Sequence, residues 1–238
     1  MSLLEASNIT VRFGGNLAVS DVDLAVDAGQ IVGLIGPNGA GKTTTFNALT
    51  GMLTPTSGKV HLDGHNVTGW PTHRRARAGL GRTFQRLEVF TSLSVRENVQ
   101  MAAELHGGRS APSVDGILDR VGLGGVADES AAAVSTGMAR LLEVARALAA
   151  KPKVLLLDEP ASGQDEAETG RFGDLLRELA DEGLAILMVE HDVPLVMRVC
   201  HRVVVLDFGQ VIASGTAEEI QANQAVLDAY LGTAAEAS

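Results

Sequence analysis

Residues 36–43 read Gly36-Pro37-Asn38-Gly39-Ala40-Gly41-Lys42-Thr43, the pattern Gly-x-x-x-x-Gly-Lys-Thr. The apolar run Ile31–Ile35 precedes it, and residues 44–52 are expected to form a helix. Strand, glycine-rich loop and helix in that order turn a sequence pattern into a physical site. Glycines let backbone N–H groups converge on phosphate oxygens, and a helix N-terminus adds partial positive charge. Lys42 can reach β- and γ-phosphates, and the Thr43 hydroxyl can ligate magnesium, with Thr44 beside it in the same cradle. A nucleoside triphosphate is the expected ligand.

Residues 154–157 and Ala185–Val189 are likewise apolar without alternation. Such runs read as strands buried on both faces of a parallel sheet, with helices on each side. The first ends in Asp158-Glu159, and ligands of α/β sheets sit at the carboxyl ends of strands. Asp158 is therefore placed to hold magnesium, and Glu159 to orient or deprotonate a water attacking the γ-phosphate. The second ends in Glu190-His191-Asp192. His191 emerges at the same sheet edge, where it could donate a hydrogen bond to the γ-phosphate. By itself this histidine reads equally well as structural.

Elsewhere, residues 3–13 and 19–26 read as strands. In the second, Val22, Leu24 and Val26 alternate with aspartates, the period of an antiparallel strand with one wet face. Residues 60–62 form a short strand, and 203–206 with 211–213 form a hairpin around Asp207-Phe208-Gly209-Gln210. Ser94-Val95-Arg96-Glu97 and Thr216-Ala217-Glu218-Glu219 fit the capping box that starts a helix. Phe172, Leu175, Leu176 and Leu179 make one apolar helix face, and Leu141, Leu142, Ala145 and Leu148 another; both read as core. Residues 84–150 hold no strong strand run and read as an inserted helical subdomain. Residues 1–83 and 151–238 then make the nucleotide-binding core, with 234–238 a frayed tail.

At 238 residues the chain can bury a substantial core. Apolar residues at 45% and charged residues at 20% give a globular balance, but aromatics at 3% leave Ala, Val and Leu to fill the interior. A net charge of −10 argues against nucleic acid as partner. The single cysteine, Cys200, permits no internal disulfide; a small buried hydrophobe in a reducing compartment is expected. The N-terminus lacks the pattern of a signal peptide, and no run reaches the ~18 apolar residues that span a bilayer. A membrane role would come through a partner.

Taken together, residues 36–43, Arg82-Thr83-Phe84-Gln85, Ser135-Thr136-Gly137, Leu157-Asp158-Glu159-Pro160 and Glu190-His191-Asp192 resemble, in this order and over nearly the whole chain, ATP-binding cassette (ABC) ATPases. The resemblance implies an α/β P-loop NTPase core with a mixed sheet, an antiparallel β subdomain and a helical subdomain. It implies ATP and Mg2+, with Thr43, Gln85 and Asp158 at the metal. It implies that Lys42, Gln85, Glu159 and His191 are catalytic and that Phe13 stacks on adenine. Ser135 and Gly137 would complete the ATP site of a second ATPase subunit in a head-to-tail dimer, and residues 161–165 would form the D-loop crossing that interface. Gln85 would also sense two transmembrane permease subunits, placing the chain peripherally on the cytoplasmic face of the cell membrane. Arg82-Thr83-Phe84-Gln85 with Val89-Phe90, Ser94 to Asn98, Leu142 to Leu148 and Ala229-Tyr230-Leu231-Gly232 is similar to the ATPases of branched-chain amino acid importers, which a solute-binding protein serves indirectly. Related importers carry urea and short amides.

Two departures stand out. The signature reads Val134-Ser135-Thr136-Gly137-Met138, with Met138 where the family has glutamine, so an amide donor and acceptor are lost. The D-loop carries Gln164 where leucine is usual. Because the signature acts on the partner's nucleotide, a heterodimer is expected over a homodimer, with slower hydrolysis at the partner's site. Soluble family members that act in translation or DNA repair are the alternative; those carry two cassettes or long coiled-coil inserts, and this chain shows one cassette and no heptad run. A P-loop GTPase would need an Asn-Lys-x-Asp that is absent.

Overall fold

The computed structural model describes residues 2–107 and 113–236. Its strands are β1 (Ser2–Phe13), β2 (Asn16–Asp27), β3 (Ile31–Ile35), β4 (Ser57–Leu62), β5 (His65–Asn66), β6 (Leu80–Arg82), β7 (Val154–Asp158), β8 (Ala185–Val189), β9 (Arg202–Asp207) and β10 (Gln210–Gly215). Its helices are α1 (Lys42–Thr50), α2 (Thr72–Arg77), α3 (Val95–Gly107), α4 (Val114–Arg120), α5 (Thr136–Ala149), α6 (Glu166–Asp181), α7 (Val193–Val199), α8 (Ala217–Gln221) and α9 (Gln224–Glu236), with a 3-10 turn at Gly124–Val126.

Two sheets organise the chain. One is antiparallel in the order β2-β1-β4-β5; the other runs β10-β9-β3-β8-β7-β6 and is parallel except at β10. The alternation in β2 resolves as expected: Val22, Leu24 and Val26 are buried and Asp21, Asp23 and Asp27 are exposed. The unbroken apolar runs resolve differently. Every residue of β3, β7 and β8 is buried, and successive residues go to opposite faces. Ile31, Leu155, Leu157, Ile186 and Met188 join one core with α3 to α7. Val32, Leu34, Leu156, Leu187 and Val189 join a second with α1 and the antiparallel sheet. Each fully buried Val, Leu or Ile contributes roughly 1.5–3 kcal/mol, so this double-sided burial holds the site's scaffold rigid.

Helix starts follow their capping chemistry. The Ser94 and Thr216 boxes form, each with reciprocal backbone and side-chain bonds to Glu97 and Glu219. Asp165 and Glu168 make a third box at the start of α6. The segment between β6 and β7 contains α3, α4, the 3-10 turn and α5, with one isolated bridge between Ser94 and Ser130.

Three elements depart from expectation. Strand β6 is only three residues with a central glycine, too short to show periodicity, and its parallel pairing with β7 makes it a strand. Helix α2, Thr-His-Arg-Arg-Ala-Arg, has no apolar face to read; Arg75 turns inward, 1% exposed, and donates to the carbonyls of Ala48, Leu49, Thr68 and Trp70. It thereby satisfies carbonyls at the end of α1, which a helix leaves unpaired. Helix α9 continues to Glu236, so residues 234–236 are helical rather than frayed, as befits Ala234 and Ala235; residues 237 and 238 lie outside the described residues.

Candidate nucleotide site

The loop after β3 is shaped by its glycines. Gly36 has φ 148, and a Cβ there would meet the Leu206 carbonyl oxygen at 2.0 Å, so only glycine lets the loop pass under β9. The turn between β9 and β10 closes over it: Gly209 N–H donates to Ala40 O, and Ser20 N–H to Gly209 O. Helix α1 begins at Lys42 with no side-chain cap, which leaves its first N–H groups facing the loop cavity.

That cavity, about 480 Å³, is lined by Asn16, Leu17, Ala18, the loop from Asn38 to Thr44, Gln85, Glu159, His191 and Phe208. Lys42 Nζ donates to the Gly36 and Pro37 carbonyls at 2.6 and 2.9 Å, so the ammonium rests folded against its own loop. Burial draws it below the usual lysine range, opposed by the Glu159 carboxylate. Ala40 is buried, and Gly36 and Pro37 form the loop's entry rather than its lining.

Glu159 has φ 51, a left-handed conformation that a residue with a Cβ rarely adopts, and its N–H donates to Val189 O. This kink at the end of β7 turns the carboxylate into the cavity, where His191 Nε2 meets it at 3.0 Å. Asp158 is the residue just before this kink. It is 3% exposed, outside the cavity lining, and paired with Arg82 at 3.1 Å. Burial raises its carboxyl above the usual range, while Arg82 pulls it back. Its own N–H donates to Thr83 Oγ1.

Phe13 is exposed at the β1–β2 turn, paired with Asn16 but outside the cavity lining. Ser135 is exposed and caps α5, its Oγ accepting from Met138 N–H. Gly137 is buried near Glu168. Neither belongs to the cavity formed by this chain's own loop. Met138 packs against the core instead of facing out, as a thioether does once no amide has to be solvated. Gln164 Nε2 donates to Pro160 O, and its Oε1 is buried without a hydrogen-bond partner among the described residues.

No group of three or more His, Cys, Asp or Glu side chains among the described residues is arranged to hold a metal alone. The Thr43 hydroxyl, the Gln85 amide and the Glu159 carboxylate share the cavity lining, with Asp158 the residue before Glu159, a hard-oxygen set that needs phosphate oxygens to be completed. Magnesium is bound in that way, with few protein ligands and the substrate supplying the rest. The residues fit the ion.

Residues 19–162 match the family profile described as ABC transporter. The chain belongs to the ABC transporter family. Residues 210–236 of this cassette match the profile of the branched-chain amino acid ATP-binding cassette transporter. It is 40% identical to the high-affinity branched-chain amino acid transport ATP-binding protein BraF of Pseudomonas aeruginosa, over 98% of both chains. It is 36% identical to the lipopolysaccharide export system ATP-binding protein LptB of Haemophilus influenzae, again over 98% of each. Its fold superposes on the ADP conformation of MJ1267, an ATP-binding cassette of an ABC transporter, with TM-score 0.88, 28% identity and coverage of 98% and 99%. The chain is thus an ATPase, the ATP-binding subunit of an ABC transporter.

The cassette also uses residues to which the sequence assigned no role of their own. Glu190, 3% exposed, accepts from the N–H groups of Ala161 and His191, tying the D-loop start to the histidine strand end. Arg140 of α5 donates to the Phe84 and Gln85 carbonyls and pairs with Glu143, which accepts from Glu88 N–H. The helix that begins at Ser135 therefore grips the backbone of the Gln85 loop. Burial raises the Tyr230 phenol of α9 above its usual range, opposed by the Gly36 backbone. Only contacts across the fold reveal what these side chains do.

Proposed function

We propose that this chain is the ATP-hydrolysing subunit of an importer for branched-chain amino acids or related small solutes. The convergence of Lys42, Thr43, Gln85, Glu159 and His191 on one cavity carries the ATPase chemistry. The match of residues 210–236 to the branched-chain profile favours import over the export role printed for the LptB relative.

In this reading the loop from Gly36 to Thr44 holds the triphosphate, and Lys42 leaves its carbonyls to follow the γ-phosphate. Phe13 receives adenine. Thr43 and Gln85 of the cavity, with the buried Asp158 that precedes Glu159, would hold magnesium, which when bound would neutralise charge on the β- and γ-phosphates. Glu159 orients the attacking water and accepts its proton, and His191 holds that carboxylate and the γ-phosphate in line. Ser135 and Gly137, exposed or displaced from the chain's own cavity, act on the nucleotide of a second cassette, and Gln164 finds its missing partner across that interface. A heterodimer fits the altered signature better than a homodimer. ATP touching both cassettes favours the closed dimer, and hydrolysis reopens it.

Permease docking falls to a groove of about 310 Å³ between Leu80–Phe84 and Met101–Leu105, rimmed by exposed Phe84, Phe90 and Leu105. It lies beside Gln85, so closure of the dimer and movement of the permease share one loop. A solute-binding protein enters only through the permease. Residence on the cytoplasmic face follows from the permease partner; among the described residues no helix is long and apolar enough to cross a membrane.

The test is purification of the tagged chain from its native membranes in mild detergent, with mass spectrometry of co-purifying proteins and assay of ATP hydrolysis. Two polytopic membrane proteins and a second cassette, with turnover raised by a binding protein loaded with leucine, support the reading. Soluble partners alone would sink it in favour of a cassette not linked to transport.

A further inference from the structure

Arg82 occupies an unusual place. Its guanidinium is 11% exposed and bridges three elements. Nη2 donates to Asp158 Oδ2 at 3.1 Å; Nη1 donates to Asn47 Oδ1 and Thr50 Oγ1 of α1 at 3.0 and 3.1 Å and approaches the Met52 sulfur; Nε donates to Thr83 O at 3.2 Å. The group also lies over Phe84 and Phe46, at 4.9 and 5.6 Å from the ring centroids. Contacts other than Asp158 thus also anchor the guanidinium.

We propose that Arg82 is the resident counter-ion of Asp158 and sets how tightly the nucleotide site holds its divalent cation. The inference rests on the reading of Asp158 as a metal carboxylate. A buried carboxylate without a counter-charge is costly, so the cassette needs Arg82 while the metal is absent. The same fixed charge competes with a dication for the carboxylate. Arg82 thus exchanges affinity for magnesium against the integrity of the empty site. It is a positioning residue, since it lies outside the lining of the nucleotide cavity and acts through Asp158.

The experiment is a magnesium titration of the purified full chain with a fluorescent, non-hydrolysable ATP analogue at pH 8, read as the magnesium concentration giving half-maximal analogue binding. Arg82→Gln is expected to lower that concentration about tenfold by removing one charge adjacent to the site. Arg82→Lys, which keeps the charge, should stay near wild type. Arg82→Met, which keeps an apolar stem against Phe46 and Phe84, should shift as far as Arg82→Gln and serves if the glutamine variant does not fold. In EDTA both neutral variants should melt lower than wild type, and magnesium with the analogue should restore them more than it raises wild type. An unchanged or higher half-saturating concentration in the neutral variants overturns the proposal. Asp158→Asn separates the two ideas: it should weaken magnesium dependence and erase the effect of Arg82→Gln. If Asp158→Asn leaves the titration unchanged, the metal reading itself falls.

Discussion

His191 Nε2 and Glu159 Oε2 lie 3.0 Å apart at the ends of adjacent parallel strands. The register that pairs Asp158 with Val189 places Glu159 one residue and His191 two residues beyond the paired strand ends. The left-handed turn at Glu159 then swings its carboxylate toward the histidine rather than along the strand. A strained non-glycine residue at a ligand cavity marks a position held for function.

Replacing that carboxylate tests its role directly. Glu159→Gln keeps size and one acceptor but loses the base. Phosphate release should fall at least about 100-fold, while equilibrium ATP binding persists. In a mixed dimer with an unaltered second cassette, most turnover should disappear, because the proposed asymmetry puts the faster site at this chain's loop. Survival of most turnover would remove Glu159, or the asymmetry, from the account.

The loop glycines should not be equivalent. Gly36→Ala places a methyl group into a backbone carbonyl at 2.0 Å, and β9 must move; a loss of about 2–4 kcal/mol is expected. Gly39 has φ 80 but open space around its Cβ position, so Gly39→Ala should cost only about 1–2 kcal/mol of backbone strain. Urea melts of both variants decide the matter, and equal losses would contradict the close approach at Leu206.

Glu143 offers a pH test. Burial, outweighing the Glu88 N–H and Arg140, raises its carboxyl above the usual value of 4.5. A carboxyl raised by folding contributes stability below its unfolded value and loses that contribution as pH climbs through its folded value. Glu143→Gln lacks this loss. The melting temperature of the variant minus that of wild type should therefore shift in the variant's favour from pH 4.5 to pH 7.5. A shift in the opposite direction would show that the Arg140 pair outweighs burial.

Groove residues should separate docking from folding. Leu105 is 77% exposed, and an aspartate there meets water in the free cassette. Leu105→Asp should change stability by no more than about 0.5 kcal/mol. Co-purification of the permease should be lost, because the charge would be desolvated on docking. Retained co-purification would move the docking surface elsewhere.

The sequence by itself determined the scaffold and much of the site, because both are local. A strand buried on both faces announces itself by an unbroken apolar run, and a phosphate loop by glycines at fixed offsets, so β3, β7, β8 and the residues at their ends could be placed without coordinates. Capping boxes likewise need only four consecutive residues. Tertiary structure decided what depends on contacts distant in the chain. It made a strand of Leu80–Arg82, turned Arg75 inward, set Arg82 against Asp158 and gave Glu190 its backbone donors. Arg75, Arg82 and Glu190 are charged residues whose usual place is water, and the sequence alone does not show what would bury them. The partners that offset their desolvation arrive only when the sheet assembles.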